Sequence, residues 1–92
     1  MLTPEQRRAH FAFIQDGFRR RSHNLRRIVE AFGGQSGGWE KVARLTGKSV
    51  TKLHQIADLD HPWHTTIGDK LAREIEQALH LRPGALDSKD FG

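Results

Sequence analysis

The 92-residue chain contains no cysteine, which excludes a disulfide framework and a zinc site built from thiolates. It has no apolar run close to the roughly 18 residues of a membrane span, and its first residues, MLTPEQRR, lack the apolar core of a signal peptide. No segment shows the alternation of polar and apolar residues that is typical of a strand. We therefore expect one small all-α chain, located in the cytoplasm, with little surface to spare for a catalytic cleft.

Positive charge is concentrated in the N-terminal and central parts of the chain. Residues 1–27 carry seven arginines against two acidic residues, and residues 39–56 carry four basic residues against one acidic residue. From residue 57 onward four basic residues face seven acidic ones, and the net charge of the whole chain is +4. A polyanion such as DNA would be attracted to the two basic segments. The alternative is that these arginines only solvate helix surfaces.

The central segment VARLTGKSVTKLHQIADL, residues 42–59, has the pattern of a helix-turn-helix. Ala43 is small where two helices nearly touch, Gly47 allows a turn with positive φ, and Leu53 and Ile56 point back to the core. The other side chains of the second helix are mostly short or medium polar groups facing outward, which suits contacts with base edges in a major groove. They are Ser49, Val50, Thr51, Lys52, His54 and Gln55.

The first 22 residues are interpreted as a basic, aromatic helical arm in front of a helix-turn-helix domain at residues 23–92. Thr3-Pro4 marks the start of a helix. This helix either ends near Ser22 or continues to Phe32 with a weak point near Ser22. An apolar stripe in the arm is a candidate dimer contact, and an arginine cluster is a candidate DNA contact. The stripe consists of Phe11, Ile14 and Phe18, and the cluster of Arg19, Arg20 and Arg21. The remaining alternative is that the stripe packs on its own domain.

The other segments supply the core and its connections. A glycine-rich loop, residues 33–38, precedes the second helix at about 39–45, and Ser49 is placed to cap the third helix at about 49–57. Trp63, in the loop after the third helix, is expected to be buried beneath that loop. A fourth helix from about Thr66 carries its core residues on one face. They are Ile67, Leu71, Ile75, Ala78 and Leu79.

The sequence does not favour a metal site, a cofactor or catalysis. His61 and His64 have a spacing that can chelate zinc, but only Asp58 or Asp60 could complete the ligand set. The glycine-rich loop lacks both the preceding strand and the lysine-serine or lysine-threonine ending of a phosphate-binding loop. The helical pattern brings together no nucleophile, base and acid. We therefore expect no metal, no cofactor and no enzyme activity.

The second and third helices, together with IGDKLAREIEQALHLRPGALD at residues 67–87, resemble the Cro- and lambda-repressor-like helix-turn-helix regulators, especially phage-type members. The resemblance covers residues 24–87 and implies a compact helical bundle, binding to duplex DNA, and a homodimer on inverted repeats. By position it places the outward residues of the third helix at the major groove and Lys48 at the DNA backbone. The chain departs from the family pattern at Trp39, where glutamine is common, and at Asp58 and Asp60. The arm has no counterpart in the minimal family fold.

These observations lead to one functional hypothesis and one alternative. We expect a sequence-specific double-stranded DNA-binding transcriptional regulator, of the phage or prophage repressor kind. Its setting would be the cytoplasm of a bacterial or phage-infected cell, in association with the nucleoid. The alternative is a protein-interaction module that keeps the helix-turn-helix fold, an antitoxin-like or anti-repressor adaptor that holds a protein partner through the arm.

Overall fold

The structure, a computed structural model, describes residues 3–89, and for residues 6–16 it describes the helical backbone alone. Four α-helices follow one another, and a final 3₁₀ turn comes after them. They are α1 (Pro4–Ala31), α2 (Gly38–Thr46), α3 (Val50–Ala57), α4 (Asp69–Ala78) and the 3₁₀ turn (Ala85–Asp87). No strand occurs within residues 3–89, so the prediction of an all-α fold is confirmed.

Helix α1 runs without interruption through Ser22, so the arm and the core share one helix. Ser22 is fully buried, and its Oγ lies 3.0 Å from Nε2 of His64 in the loop after α3. A serine in mid-helix is unfavourable because its hydroxyl competes for backbone groups, and here the hydroxyl instead has a side-chain partner. The predicted boundary between residues 22 and 23 therefore falls inside a continuous helix and on one of its buried contacts.

The unit formed by α2, the turn and α3 is built as the sequence predicts. Gly47 has φ 70°, a left-handed conformation that glycine adopts without a Cβ penalty, and its N–H donates to the Ala43 carbonyl. Ser49 caps α3, because its Oγ accepts a hydrogen bond of 3.0 Å from the Lys52 N–H. Val42, Leu53 and Ile56 are completely buried. The two helices are thus fixed to each other across a three-residue connection, residues 47–49.

Helix α2 approaches the end of α1 closely. Gly38 opens α2 and is buried, and a Cβ at this position would collide with the Val29 carbonyl oxygen. The glycine-rich segment before it is a series of hydrogen-bonded turns, in which Gly34 N–H donates to Val29 O and Gly38 N–H to Gly34 O, both at 2.9 Å. Glycine at residue 38 is therefore required for the close packing of α1 against α2.

Helix α4 begins at Asp69, three residues after the predicted start, and no side chain caps it at Gly68. Its predicted core face is largely confirmed, since Ile67, Ile75 and Leu79 are buried. The same helix also buries Glu76, whose carboxylate accepts hydrogen bonds from the Gly84 N–H (3.1 Å) and the Leu86 N–H (2.9 Å). A buried carboxylate is tolerated here because two backbone donors and Arg73 Nε, at 3.1 Å, satisfy it.

An ion-pair network joins α1, α4 and the 3₁₀ turn. Arg21 of α1 donates to Asp87 at 2.5 Å, to Asp69 at 2.7 Å and to the Ile67 carbonyl at 2.9 Å, and Arg73 of α4 donates to the other oxygen of Asp87 at 2.5 Å. Burial alone would raise the pKa of Asp87, but hydrogen bonds from the two guanidinium groups outweigh it and hold that pKa below its usual value. The hydrogen bond to Asp87 raises the pKa of Arg21 against the opposing effect of burial.

We predict that Asp87→Asn lowers the free energy of unfolding at pH 7 by about 1–2 kcal/mol, because the hydrogen bonds from two guanidinium groups are weakened. The loss is no larger because solvent screens a partly exposed carboxylate. A lowered carboxyl pKa stabilises the fold above the unfolded-state value of about 3.9, and this contribution is lost as pH falls through the folded-state pKa. The difference between the two proteins should therefore shrink below about pH 4. Urea unfolding of both proteins at pH 2–7 measures this difference in the free energy of unfolding.

The matched control is Asp69→Asn, the same substitution at the other carboxylate partner of Arg21. The Asp69 side chain is 90% exposed, so its loss should cost at most about 0.5 kcal/mol. Equal effects of the two substitutions, or a difference at Asp87 that does not depend on pH, would contradict the role given to the Asp87 carboxylate.

Candidate nucleic-acid-binding surface

The outer face of α3 is polar and accessible. Ser49 and Thr51 are exposed, while Val50, Lys52, His54 and Gln55 are half-buried, as is Lys48 in the turn. The inner face of the helix consists of Leu53, Ile56 and Ala57, all buried. Thr51, Lys52, His54 and Gln55 thus lie away from the buried face of α3, whereas Val50 packs partly against the hydrophobic core.

Trp39 and His54 form a stacked pair across α2 and α3. Their ring centroids are 3.8 Å apart, and the ring planes are inclined by 23°. Trp39 is buried among the core residues, whereas His54 is half-buried. The stack consequently fixes the orientation of the imidazole on the outer face of α3, and it gives a physical reason for a tryptophan at the start of α2. The sequence suggested each residue separately but not their contact.

The predicted arginine cluster is divided by the helix geometry. Arg19 is exposed and Arg20 is half-buried, but the Arg21 side chain is only 12% exposed and is held by Asp69 and Asp87 of its own chain. Consecutive residues of an α-helix point about 100° apart, so three neighbouring arginines cannot share one face. Arg21 is therefore given a structural role, and Arg19 and Arg20 remain the arm's candidate phosphate contacts.

The acidic residue at the end of α3 has a basic neighbour. Asp58 Oδ1 lies 3.6 Å from Arg26 Nη1 of α1, and Arg26 Nε lies 3.6 Å from Glu30. This arrangement reduces the repulsion that Asp58 would exert on a phosphate near the end of α3. Lys41 and Arg44 of α2 are both exposed and add positive charge outside α3.

The loop between α3 and α4 is ordered by its own hydrogen bonds. The Thr65 N–H donates to the Gln55 carbonyl at 2.9 Å, the Trp63 N–H donates to Nδ1 of His61 at 2.9 Å, and His64 contacts Ser22. Trp63 is 75% exposed, so the prediction that it is buried beneath the loop is wrong. Among the residues whose side chains are described, no three histidine, aspartate or glutamate side chains come together as a metal would require, and His61 and His64 take part in hydrogen bonds of the loop.

The arm's apolar stripe is described only at its last member. Phe18 is half-buried, and the Arg21 guanidinium carbon lies 5.9 Å from its ring centroid. The side chains of Phe11 and Ile14 lie outside the described residues. The helical backbone of α1 nevertheless puts these two positions on the same face as Phe18, because they are seven and four residues before it.

Comparisons with known proteins identify no relative of this chain. No family model, curated protein or solved structure matches it. Among the described helices, none combines the length and the apolar character needed to cross a membrane, although α1 is long enough.

We predict that His54→Ala lowers the free energy of unfolding by about 0.5–1.5 kcal/mol in the absence of any ligand, because the aromatic stack on Trp39 is lost. The near-ultraviolet circular dichroism of the tryptophan should change in the folded protein, because its asymmetric surroundings change.

His23→Ala is the matched control, since His23 is exposed on α1 and makes no described stack. It should change stability by no more than about 0.5 kcal/mol. A His54 variant that is as stable as the parent protein and has the parent's tryptophan spectrum would show that the stack does not hold α2 and α3 together.

Proposed function

We propose that this protein is a sequence-specific double-stranded DNA-binding regulator of the phage repressor type, which inserts α3 into the major groove. The observation that carries the proposal is the pair of helices α2 and α3, joined by the connection at residues 47–49. Their inner faces are buried, and the outer face of α3 is polar and accessible. An exposed polar helix on a rigid support is the element with which helix-turn-helix proteins contact base edges.

The candidate contacts differ in what they contribute. Thr51, Lys52 and Gln55 carry groups that hydrogen-bond base edges, and Val50 can contact a thymine methyl group. His54, oriented by Trp39, supplies a further donor or acceptor. In this proposal Ser49, the cap of α3, belongs with the major-groove contacts, and Lys48 in the turn contacts the DNA backbone.

Arginines outside α3 contribute charge without selecting a sequence. Arg19 and Arg20 of the arm supply salt-dependent attraction to phosphates in this proposal. The chain acts as a homodimer through the apolar stripe of the arm, so that two copies of α3 contact the two halves of an inverted repeat. Leaving the stripe in water would forgo about 1.5–3 kcal/mol of burial for each large side chain, which favours a partner on that face.

Selection from a random duplex library at about 150 mM salt tests the proposal. The parent protein should enrich an inverted repeat. The Lys52→Ala, Gln55→Ala variant should fail to enrich it, because each good base contact contributes about 1–3 kcal/mol of discrimination. Weak, salt-sensitive binding by both proteins without an enriched sequence would contradict the proposal.

The chain offers a matched control for this pair. Lys70→Ala, Gln77→Ala removes the same two residue types from exposed positions of α4, away from α3. The control variant should select the same repeat as the parent. Loss of selection in both double variants would point to a general effect of charge or stability rather than to contacts made by α3.

The dimer is tested by Ile14→Asp, which puts a charge in the middle of the arm's stripe. The mass in solution should fall from that of a dimer to that of a monomer, as measured by sedimentation equilibrium. The thermal unfolding of the core should change little, because residue 14 lies eight residues before Ser22, the first buried residue among the described side chains of α1. An unchanged mass and unchanged DNA binding would remove the arm from the proposal.

A further inference from the structure

The loop after α3, residues 58–66, presents an apolar and acidic surface that the proposed DNA contact does not use. Trp63 is 75% exposed, and Leu59 is 42% exposed. The loop contains two carboxylates and no lysine or arginine; Asp58 lies 3.6 Å from Arg26 of α1, whereas no ion pair is described for Asp60. Tryptophan is the residue type most enriched at the energetic centres of protein interfaces, whereas carboxylates repel a phosphate backbone. The surface therefore fits a basic protein segment with apolar side chains.

Hydrogen bonds within the single chain already hold the backbone of the loop at Trp63. Its hydrogen bonds attach it to α3 through Gln55 and to α1 through Ser22. In addition, the Trp63 backbone N–H donates a hydrogen bond to Nδ1 of His61. An anchor residue presented by ordered backbone loses little conformational freedom when it is covered, which favours its use in binding.

The arm of this same chain offers an arginine pair and apolar residues. Arg7 and Arg8 are adjacent, between Glu5 and Asp16, and Phe11 and Ile14 of the apolar stripe follow them. The stripe continues the face of α1 that is buried in the core at Leu25 and Val29, since positions 11, 14, 18, 25 and 29 are spaced by three, four, seven and four residues. Because α1 is one uninterrupted helix, the arm cannot fold back onto the loop of its own chain. It can meet only the loop of another molecule.

The position of the loop along α1 allows two copies to satisfy each other. The loop is attached at Ser22, where α1 enters the core. If two arms pair antiparallel about Ile14, residue 6 of one copy stands opposite residue 22 of the other, because each lies eight residues, or about 12 Å, from residue 14. The end of each arm then reaches the other copy's loop. The same contact is made twice, as in a closed two-fold dimer.

We propose that the loop at residues 58–66 is the docking surface for the N-terminal turns of α1 from a second copy of this chain. Trp63 is the apolar anchor, and Asp58 and Asp60 lie near the arginine pair Arg7 and Arg8. This inference rests on the arm-mediated dimer of the proposed function, and it names the surface that receives the arm. It does not depend on DNA binding, so it is tested on the full chain without DNA.

Sedimentation across a dilution series compares the parent protein with Trp63→Ala. The variant should raise the dimer dissociation constant by about tenfold or more, as truncation of an interface anchor does. In the parent protein, quenching of tryptophan fluorescence by acrylamide should decrease as the protein concentration rises, since Trp63 becomes covered. Leu45→Ala is the control, because Leu45 is 44% exposed on α2 and lies outside the proposed interface; its dissociation constant should equal that of the parent.

A charge exchange tests which segments meet. Asp60→Lys in one protein, and Arg7→Glu, Arg8→Glu in another, should each weaken self-association, because each opposes like charges at both copies of the contact. A mixture of the two variants should associate more tightly than either alone, since every arm then meets a loop of opposite charge. A mixture that is no tighter than its components overturns the inference.

The other outcomes separate this inference from the proposals on which it rests. If Ile14→Asp disrupts the dimer and Trp63→Ala does not, the arm dimer stands and the role of the loop is wrong. A parent protein that is monomeric at every concentration overturns both, whatever the library selection shows about DNA. Protection of Trp63 by duplex DNA or by a foreign protein, without self-association, also overturns the inference and reassigns the loop.

Discussion

Asp87 is shared by Arg21 and Arg73, and this one carboxylate joins three elements of the fold, α1, α4 and the 3₁₀ turn. Through it the 3₁₀ turn is bound to α1 on one side and to α4 on the other. Glu76 of α4 also holds the 3₁₀ turn, because its carboxylate accepts hydrogen bonds from the backbone N–H groups of Gly84 and Leu86. The interaction is stable because no charge is left alone: among the described residues, no buried side-chain nitrogen or oxygen lacks a hydrogen-bond partner.

The features that could be predicted from the sequence are those set by near neighbours. Gly47 follows Ala43 by four residues and Ser49 precedes the third helix, so the turn and the cap depend on a few consecutive residues. The burial of Leu53 and Ile56 follows from helical spacing for the same reason. This local determination explains why two short helices joined by a turn at Gly47 were predicted close to the observed positions of α2 and α3.

The features that could not be predicted involve polar side chains whose partners are distant in the sequence. Arg21 looked like one of three equivalent arginines, and only the fold brings it to Asp69 and Asp87, 48 and 66 residues away. Ser22 suggested a weak point because its partner, His64, is 42 residues away. Trp63 was expected inside, but the loop is held at Ser22 by His64 and at Gln55 by Thr65, and it leaves Trp63 75% exposed. The sequence shows that such polar and aromatic residues are present, but their structural roles depend on contacts that only the folded chain makes.

The continuity of α1 links the two halves of the proposal mechanically. The helix is anchored in the core from Arg21 onward and packs against α3, so the direction in which the arm projects is fixed relative to α3. In a dimer centred on Ile14, the two Leu25 positions are each 11 residues from the centre, and they are therefore separated along the helices by about 33 Å. Because α3 packs against this part of α1, that separation bears on the spacing of the two copies of α3, which for adjacent half-sites is about 34 Å. The same rigid helix that offers the apolar stripe to a second copy would thus set the distance between the two copies of α3.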